Sequence, residues 1–297
     1  MESSSDGDGD TAASIVKYIF ASFLLLPSCN KPQKTISHTF NHYDSNTMLA
    51  KAPPPAPVKK KTKKKKLYLT FDDGPNKGTA NVLHIIKDEG VPVTFFIVGE
   101  HVFASSAQLQ TWDSLKMAEH IDICNHSYTH ANNRYHSFYA KPDSVVKDFQ
   151  RTQDSLGLDN PIVRTPGRNV WRVDSLNFTD LKSTTAAADS LKNAGFVVMG
   201  WDLEWHYDPK SMSVVTTADK MVQQIDSAFY HNRTKQKDHL VLLAHDQVYV
   251  KSSDSFQLRQ FLQLLKQKDE YELSVVTTYP GASKTTIPDS LKIKATQ

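Results

Sequence analysis

Apolar positions along this chain fall into a strand–helix rhythm that begins near residue 67. Leu67, Tyr68, Leu69 and Phe71 form a short β-prone run, closed by Asp72, Asp73 and a Gly74-Pro75 turn. That pattern predicts a buried strand delivering two carboxylates to one rim. Helical spacing follows over 78–89, with Val82, Leu83, Ile85 and Ile86 on one face and Gly90 placed as the cap. Residues 91–98 predict a strand that tolerates Pro92 at its start, and 106–120 predict a helix. Val145, Val146 and Phe149 mark a helix over 142–156 that ends at Gly157, and a strand over 161–163 leads to Arg164. Beyond it lie a helix over 186–193, a strand and loop over 196–206, and a helix over 221–230. The apolar strand 238–246, a helix over 256–268 and a strand over 273–277 complete the pattern. Alternation at this spacing predicts a mainly parallel sheet with crossover helices. In barrel-like versions of such folds, the C-terminal strand ends carry the chemistry.

The first 66 residues differ in kind. Residues 18–26 are apolar, too few for the roughly 20 that span a bilayer but within the roughly 7–15 of a signal-peptide core. Leu26-Pro27-Ser28-Cys29 resembles a bacterial lipobox, which implies a lipid anchor at Cys29 and an exported, envelope-bound protein. Glu2, Asp6, Asp8 and Asp10 are acidic where such a leader is basic, so translation is expected to start near Ile15 or Val16. Residues 29–66, Pro-rich and then Lys-rich, cannot bury enough apolar surface to fold and read as an extended tether. The expected organisation is a signal segment over 1–28, the tether over 29–66, one catalytic domain over 67–280 and a polar tail over 281–297.

Formal net charge is +3 over 297 residues. Seven lysines fall between Lys59 and Lys66, so the remainder is net negative and offers no general nucleic-acid surface. The lysines are a solvated spacer, or they hold the chain near anionic lipid or an acidic polymer. Two cysteines, Cys29 and Cys124, make no disulfide framework, and Cys124 reads as a small buried strand residue.

The chemistry-bearing residues cluster at predicted strand ends. Consecutive strand residues point to opposite sides, so Asp72 and Asp73 are expected to do different jobs, one binding a metal and one staying free as a base. In His126-Ser127-Tyr128-Thr129-His130, two histidines four apart face the same way if the backbone turns helically. Such a pair holds Zn²⁺ or a similar ion, or lies as two surface histidines in a polar loop. His206 is not expected to be a ligand.

Thr70-Phe71-Asp72-Asp73-Gly74-Pro75 resembles the first signature of the polysaccharide deacetylases, the NodB-homology or carbohydrate esterase family 4 enzymes. His126-Ser127-Tyr128-Thr129-His130 is similar to the second signature, His-Ser/Thr-x-x-His. Arg164-Thr165-Pro166-Gly167-Arg168 resembles the third, which carries Arg, Pro and Gly in that order but has an aromatic missing here. Trp201-Asp202-Leu203-Glu204-Trp205 departs from the fourth, Trp-x-x-Asp-x-x-Asp-Trp, with Glu204 at the first aspartate and Asp208 one residue beyond the second. Val241-Leu242-Leu243-Ala244-His245 resembles the fifth, Leu-x-Leu-x-His.

The resemblance implies a distorted (β/α) barrel and a hydrolase that removes N-acetyl groups from an amino-sugar polymer or oligomer, peptidoglycan- or chitin-like. It implies one divalent ion, zinc first and cobalt, nickel or manganese as alternatives, on Asp73, His126 and His130. Asp72 becomes the base, paired with Arg164, whose charge favours the ionised acid. A backbone N–H of Gly167 or Arg168, beside Pro166, binds the oxyanion. His245 becomes the general acid, tuned by Glu204 or Asp202. Trp201 and Trp205 wall the sugar site or belong to the core. The rival readings are a non-catalytic carbohydrate-binding protein on the same fold and a hydrolase of another non-peptide amide.

Overall fold

The computed structural model of the protein describes residues 63–282. The expected signal segment, the Cys29 anchor, most of the tether and the tail from 283 lie outside the described residues. The chain runs β1 (Lys65–Gly74), α1 (Lys77–Glu89), β2 (Val93–Ile97), α2 (Gly99–Val102), α3 (Ser106–Lys116) and β3 (Ile121–Asn125). It continues through α4 (Tyr135–Tyr139), α5 (Pro142–Leu156), β4 (Ile162–Val163) and a hairpin of β5 (Val170–Val173) and β6 (Leu176–Thr179). Then come α6 (Thr185–Asn193), β7 (Val197–Val198), β8 (Leu203–Glu204), the pair β9 (Tyr207–Asp208) and β10 (Ser213–Val214), and α7 (Ala218–Tyr230). β11 (His239–His245), α8 (Ser252–Lys266) and β12 (Tyr271–Leu273) close the order.

Strands β4, β3, β2, β1 and β11 lie side by side and parallel. Side-chain alternation sorts each into two faces. Leu67, Leu69 and Phe71 of β1, Val93, Phe95 and Ile97 of β2, and Leu240, Leu242 and Ala244 of β11 face the helices. Tyr68, Phe96, Cys124, Ile162 and Val241 fill the inside of the curl. Each large apolar side chain buried in this way contributes about 1.5–3 kcal/mol. Cys124 is fully buried, which pushes its thiol well above the usual range.

One short stretch turns the curled sheet into a distorted barrel. β7 pairs with β4, and β8, only four residues later, pairs with β11 at the far edge. The segment between them, Met199 to Asp202, therefore crosses the opening and joins the two ends of the parallel ladder, β7 beside β4 and β8 beside β11. Asn169 pins it, donating to the Trp201 carbonyl and accepting from the Trp201 N–H at 2.8 and 3.2 Å. A Cβ on Gly200 would sit 2.1 Å from Asn169 Oδ1 and 2.5 Å from Trp171 Nε1, so only glycine fits this crossing.

Element ends differ from expectation where tertiary partners intervene. β1 begins at Lys65, inside the lysine run, because Lys65 and Lys66 donate to the carbonyls of Glu270 and Asp238. The expected strand over 273–277 is instead β12 followed by a 3-10 turn over Val276–Thr278, whose N–H groups bond Thr94 Oγ1 and Asp122. Val276, Tyr279 and Ala282 then plug the base of the barrel, carrying the folded domain past 280. The β5–β6 hairpin has no counterpart in the sequence pattern; its Trp171 is buried with the residues inside the curl, and its Val170 on the other face under α5 and α6.

Candidate metal and catalytic site

The strand ends that face into the barrel rim build the site. Registry places Asp72 of β1 directly opposite His245 of β11, so two residues 173 positions apart become neighbours. Just past the end of β4, Arg164 reaches the same level. Its fully buried guanidinium donates to Asp72 Oδ1 at 2.8 Å, Thr70 Oγ1 at 2.7 Å, Met199 O at 3.2 Å and Gly200 O at 3.0 Å. Phe96 underlies it at 4.0 Å from the ring centroid. The arginine thus ties Asp72 to the segment that closes the barrel.

Asp73 departs from simple strand alternation. The β1–β2 register shifts between Asp72 and Gly74, and Asp73 has φ 78°, a bulge that re-aims the side chain. Both carboxylates consequently converge on one imidazole: His126 Nε2 lies 3.6 Å from Asp72 Oδ2 and 3.4 Å from Asp73 Oδ1. What distinguishes the two is their partners, Arg164 for Asp72 and a second histidine for Asp73, rather than opposite sides of a strand. His130 Nε2 is 3.1 Å from Asp73 Oδ1.

The two histidines meet through a loop, not the helical turn the spacing suggested. Ser127 has φ 66°, and His130 through Asn133 are four successive left-handed residues. Asn125 Oδ1 accepts from Ser127 N–H, Asp148 accepts from the N–H groups of Tyr128 and Thr129, and Ser127 Oγ accepts from His130 N–H. Asn125 and Asp148 were not singled out from the sequence; only the fold reveals that they brace this loop.

Asp73, His126 and His130 each present one donor atom, all within 4.8 Å of one another. His126 Nδ1 lies 2.9 Å from the Arg164 carbonyl, which only accepts, so Nδ1 carries the proton and Nε2 turns its lone pair to the shared point. Asp73 Oδ1 is buried there and accepts no hydrogen bond. Two imidazoles and an otherwise orphaned carboxylate oxygen are a fitting donor set for a divalent cation. Burial opposes charge on both partners. It is outweighed at Asp73 by the two histidines, which hold the acid well below its usual range, and at His126 by Asp72 and Asp73, which raise the imidazole.

A cleft of about 680 Å³ opens over these groups. Trp201, Thr165, Gly167, Glu204, Tyr207, His245 and Gln247 are among its walls. The Gly167 N–H bonds no described residue, whereas Arg168 N–H points to the Thr165 carbonyl at 3.4 Å. Pro166 is buried behind this rim, its carbonyl accepting from Tyr139 Oη at 2.6 Å. Trp205 does not join Trp201 in the wall. It is 1% exposed, packs on Tyr249 and Phe261, and donates to the Thr216 carbonyl, so it is core.

Among the described residues, no carboxylate bonds His245. Asp202 accepts from the N–H groups of Lys235 and Val241, far down the strand, and burial lifts it to about 6. Glu204 lines the cleft but lies 3.3 Å from the exposed His206. His245 Nδ1 is buried without a hydrogen bond, and the ring of Tyr207 stands edge-on to the imidazole at 5.2 Å. The aromatic at Tyr207 carried no distinguishing pattern in the sequence.

Asp246 backs the site from within the core. It accepts from Asn76 and Thr79 at the start of α1, and burial, with the nearby charges of Asp73 and Asp72, pushes it up to about 8. Unfolded, the same acid titrates near 4. Between those values the native state holds a proton that the unfolded state has lost, so stability falls as pH rises. The slope is up to about 1.4 kcal/mol per pH unit. Asp246→Asn is therefore expected to gain stability relative to the parent between pH 5 and pH 8, read from urea midpoints of metal-stripped protein at the two values.

Comparison with known proteins places this geometry. Residues 59–167 match the family model for polysaccharide deacetylase. The chain is 30% identical over 192 residues to a putative polysaccharide deacetylase, YheN, of Bacillus subtilis, covering 61% of this chain and 58% of that protein. It is 27% identical over 195 residues to a peptidoglycan-N-acetylglucosamine deacetylase of Bacillus cereus, covering 64% and 63%. A chitooligosaccharide deacetylase of Rhizobium leguminosarum is 41% identical over 97 residues, 32% of this chain and 39% of that one. The chain spans less than two thirds of the length of each of these relatives. In fold, it superposes on a Streptococcus mutans CE4 esterase with a TM-score of 0.54 at 22% identity, covering 71% and 86% of the two chains. The catalytic domain of a peptidoglycan N-acetylglucosamine deacetylase from Eubacterium rectale gives a TM-score of 0.52 at 21% identity, covering 73% and 90%.

Proposed function

We propose that this chain, whose residues 59–167 match the polysaccharide deacetylase model, is a metal-dependent hydrolase of that family, removing N-acetyl groups from an N-acetylated amino-sugar polymer or oligomer. The observation that carries the reading is the meeting of Asp73, His126 and His130 at one point beside a second aspartate whose Oδ1 is held by Arg164. Two imidazoles and one carboxylate favour zinc as the ion. When bound, it supplies polarisation of the acetamide carbonyl and a more acidic attacking water.

The chain's own residues do the rest. Asp72 Oδ2, the oxygen that Arg164 leaves free, takes the proton from water. The unused Gly167 N–H is the donor for the oxyanion that develops on the former carbonyl. His245, across the register from Asp72, protonates the departing amine, without which the tetrahedral species reverts to amide. The face of Trp201 forms a wall for the sugar ring.

Acetate release from chito-oligomers and from peptidoglycan, with and without chelator, tests the proposal. Chelation is expected to abolish release and zinc to restore it, and His126→Ala is expected to lose both metal and turnover. Metal uptake without acetate release from any glycan would instead support a carbohydrate-binding protein, the reading favoured by the missing carboxylate at His245. The apolar run over 18–26 and the following Cys29 support placing the enzyme in the cell envelope on a lipid anchor.

A further inference from the structure

The metal carboxylate is held by two side chains that lie outside every recognised signature. The bulge that aims Asp73 removes its carbonyl from the β1–β2 ladder, since pairing passes from Asp72 to Gly74. A backbone carbonyl left out of a ladder in a part-buried site needs another donor. His101, at the end of α2, supplies it: Nδ1 lies 2.8 Å from Asp73 O. A carbonyl only accepts, so His101 carries its proton on Nδ1.

On the opposite side, the Gln247 carboxamide approaches Asp73 Oδ2 at 3.3 Å and Tyr207 Oη at 3.4 Å. Its two N–H groups suffice for both. Gln247 occupies one oxygen of the carboxylate, and the other, Oδ1, faces the two histidines with no hydrogen bond. Backbone and side chain of Asp73 are thus each fixed by one residue, from two elements more than 140 positions apart in sequence.

We propose that His101 and Gln247 are positioning residues that hold the bulged Asp73 in the pose that gives a single oxygen, Oδ1, to the cation. The inference rests on the metal site proposed above. Neither side chain contributes a ligand atom: His101 acts through the backbone of Asp73, and Gln247 through its second oxygen. Loss of such a supporting hydrogen bond typically weakens metal affinity about 10- to 100-fold.

The test is Zn²⁺ affinity of the full chain, measured by competition with a chromogenic chelator, with apo-protein melting temperature recorded for each variant. His101→Phe and Gln247→Leu are each expected to bind Zn²⁺ about 10- to 100-fold more weakly with little change in melting temperature. His101→Asn, whose side-chain N–H can take the place of Nδ1–H, is expected to recover most of the loss, which a purely space-filling role does not predict. Parent-like affinity in both His101→Phe and Gln247→Leu overturns the inference, as does failure of His101→Asn to recover. Parent protein that binds no Zn²⁺, or an unchanged affinity in His126→Ala, overturns the metal site itself and the inference with it.

Discussion

Asp72→Asn is expected to lower kcat for acetate release by about 10²- to 10⁴-fold, the usual contribution of a positioned base, while the protein stays folded and metal-loaded. The asparagine carbonyl oxygen can still accept from Arg164, which reaches Asp72 Oδ1 at 2.8 Å. Three further acceptors, Thr70 Oγ1, Met199 O and Gly200 O, continue to hold the guanidinium. What disappears is the oxygen that carries the proton away, since an amide nitrogen is no base. Metal content by elemental analysis and turnover on chito-oligomers separate the two effects. Near-normal activity with full metal content would remove Asp72 from the base role.

Arg164→Leu is expected to be the most destabilising single change in the site. The guanidinium is fully buried and makes four hydrogen bonds. Leucine leaves the Asp72 carboxylate without its guanidinium at 2% exposure and strips the carbonyls of Met199 and Gly200 of their donor. Breaking a buried ion pair from one side costs about 3–5 kcal/mol, a drop in Tm on the order of 10 °C for a domain of this size. Lysine does not restore it, because a single ammonium cannot reproduce the planar fork. Much of the cost is the stranded carboxylate, so Arg164→Leu should cost clearly less in an Asp72→Asn background. Additive costs in that double-mutant cycle would show that the pair does not act as a unit.

The wall of the cleft shows where sequence patterns stop being informative. Trp201 and Trp205 occupy the same short stretch with the same prior claim to a sugar site. They separate because Trp201 lies on the segment crossing the barrel mouth, whereas Trp205 follows β8 into the helix-facing layer against Phe261. Similarly, Asp202 and Glu204 both suited a partner for His245. One is spent on backbone N–H groups and the other turns to His206, leaving Tyr207 as the neighbour of that imidazole.

Local order alone determined the strand and helix succession, the cap at Gly90, the burial of Cys124, and the candidacy of Asp72, Asp73, His126 and His130, while Arg164 and His245 stood out only through the family resemblance. Those features follow from side-chain periodicity and from short runs whose members are covalent neighbours. Tertiary structure alone decided that Asp72 faces His245, that a bulge swings Asp73 onto the same histidine as its neighbour, and that Gly200 lets one segment close the barrel. It also placed His101 and Gln247 on either side of Asp73. Each of these depends on register or contact between segments far apart in the chain, and such pairings are set by packing and backbone hydrogen bonding across the whole sheet rather than by any local stretch of residues.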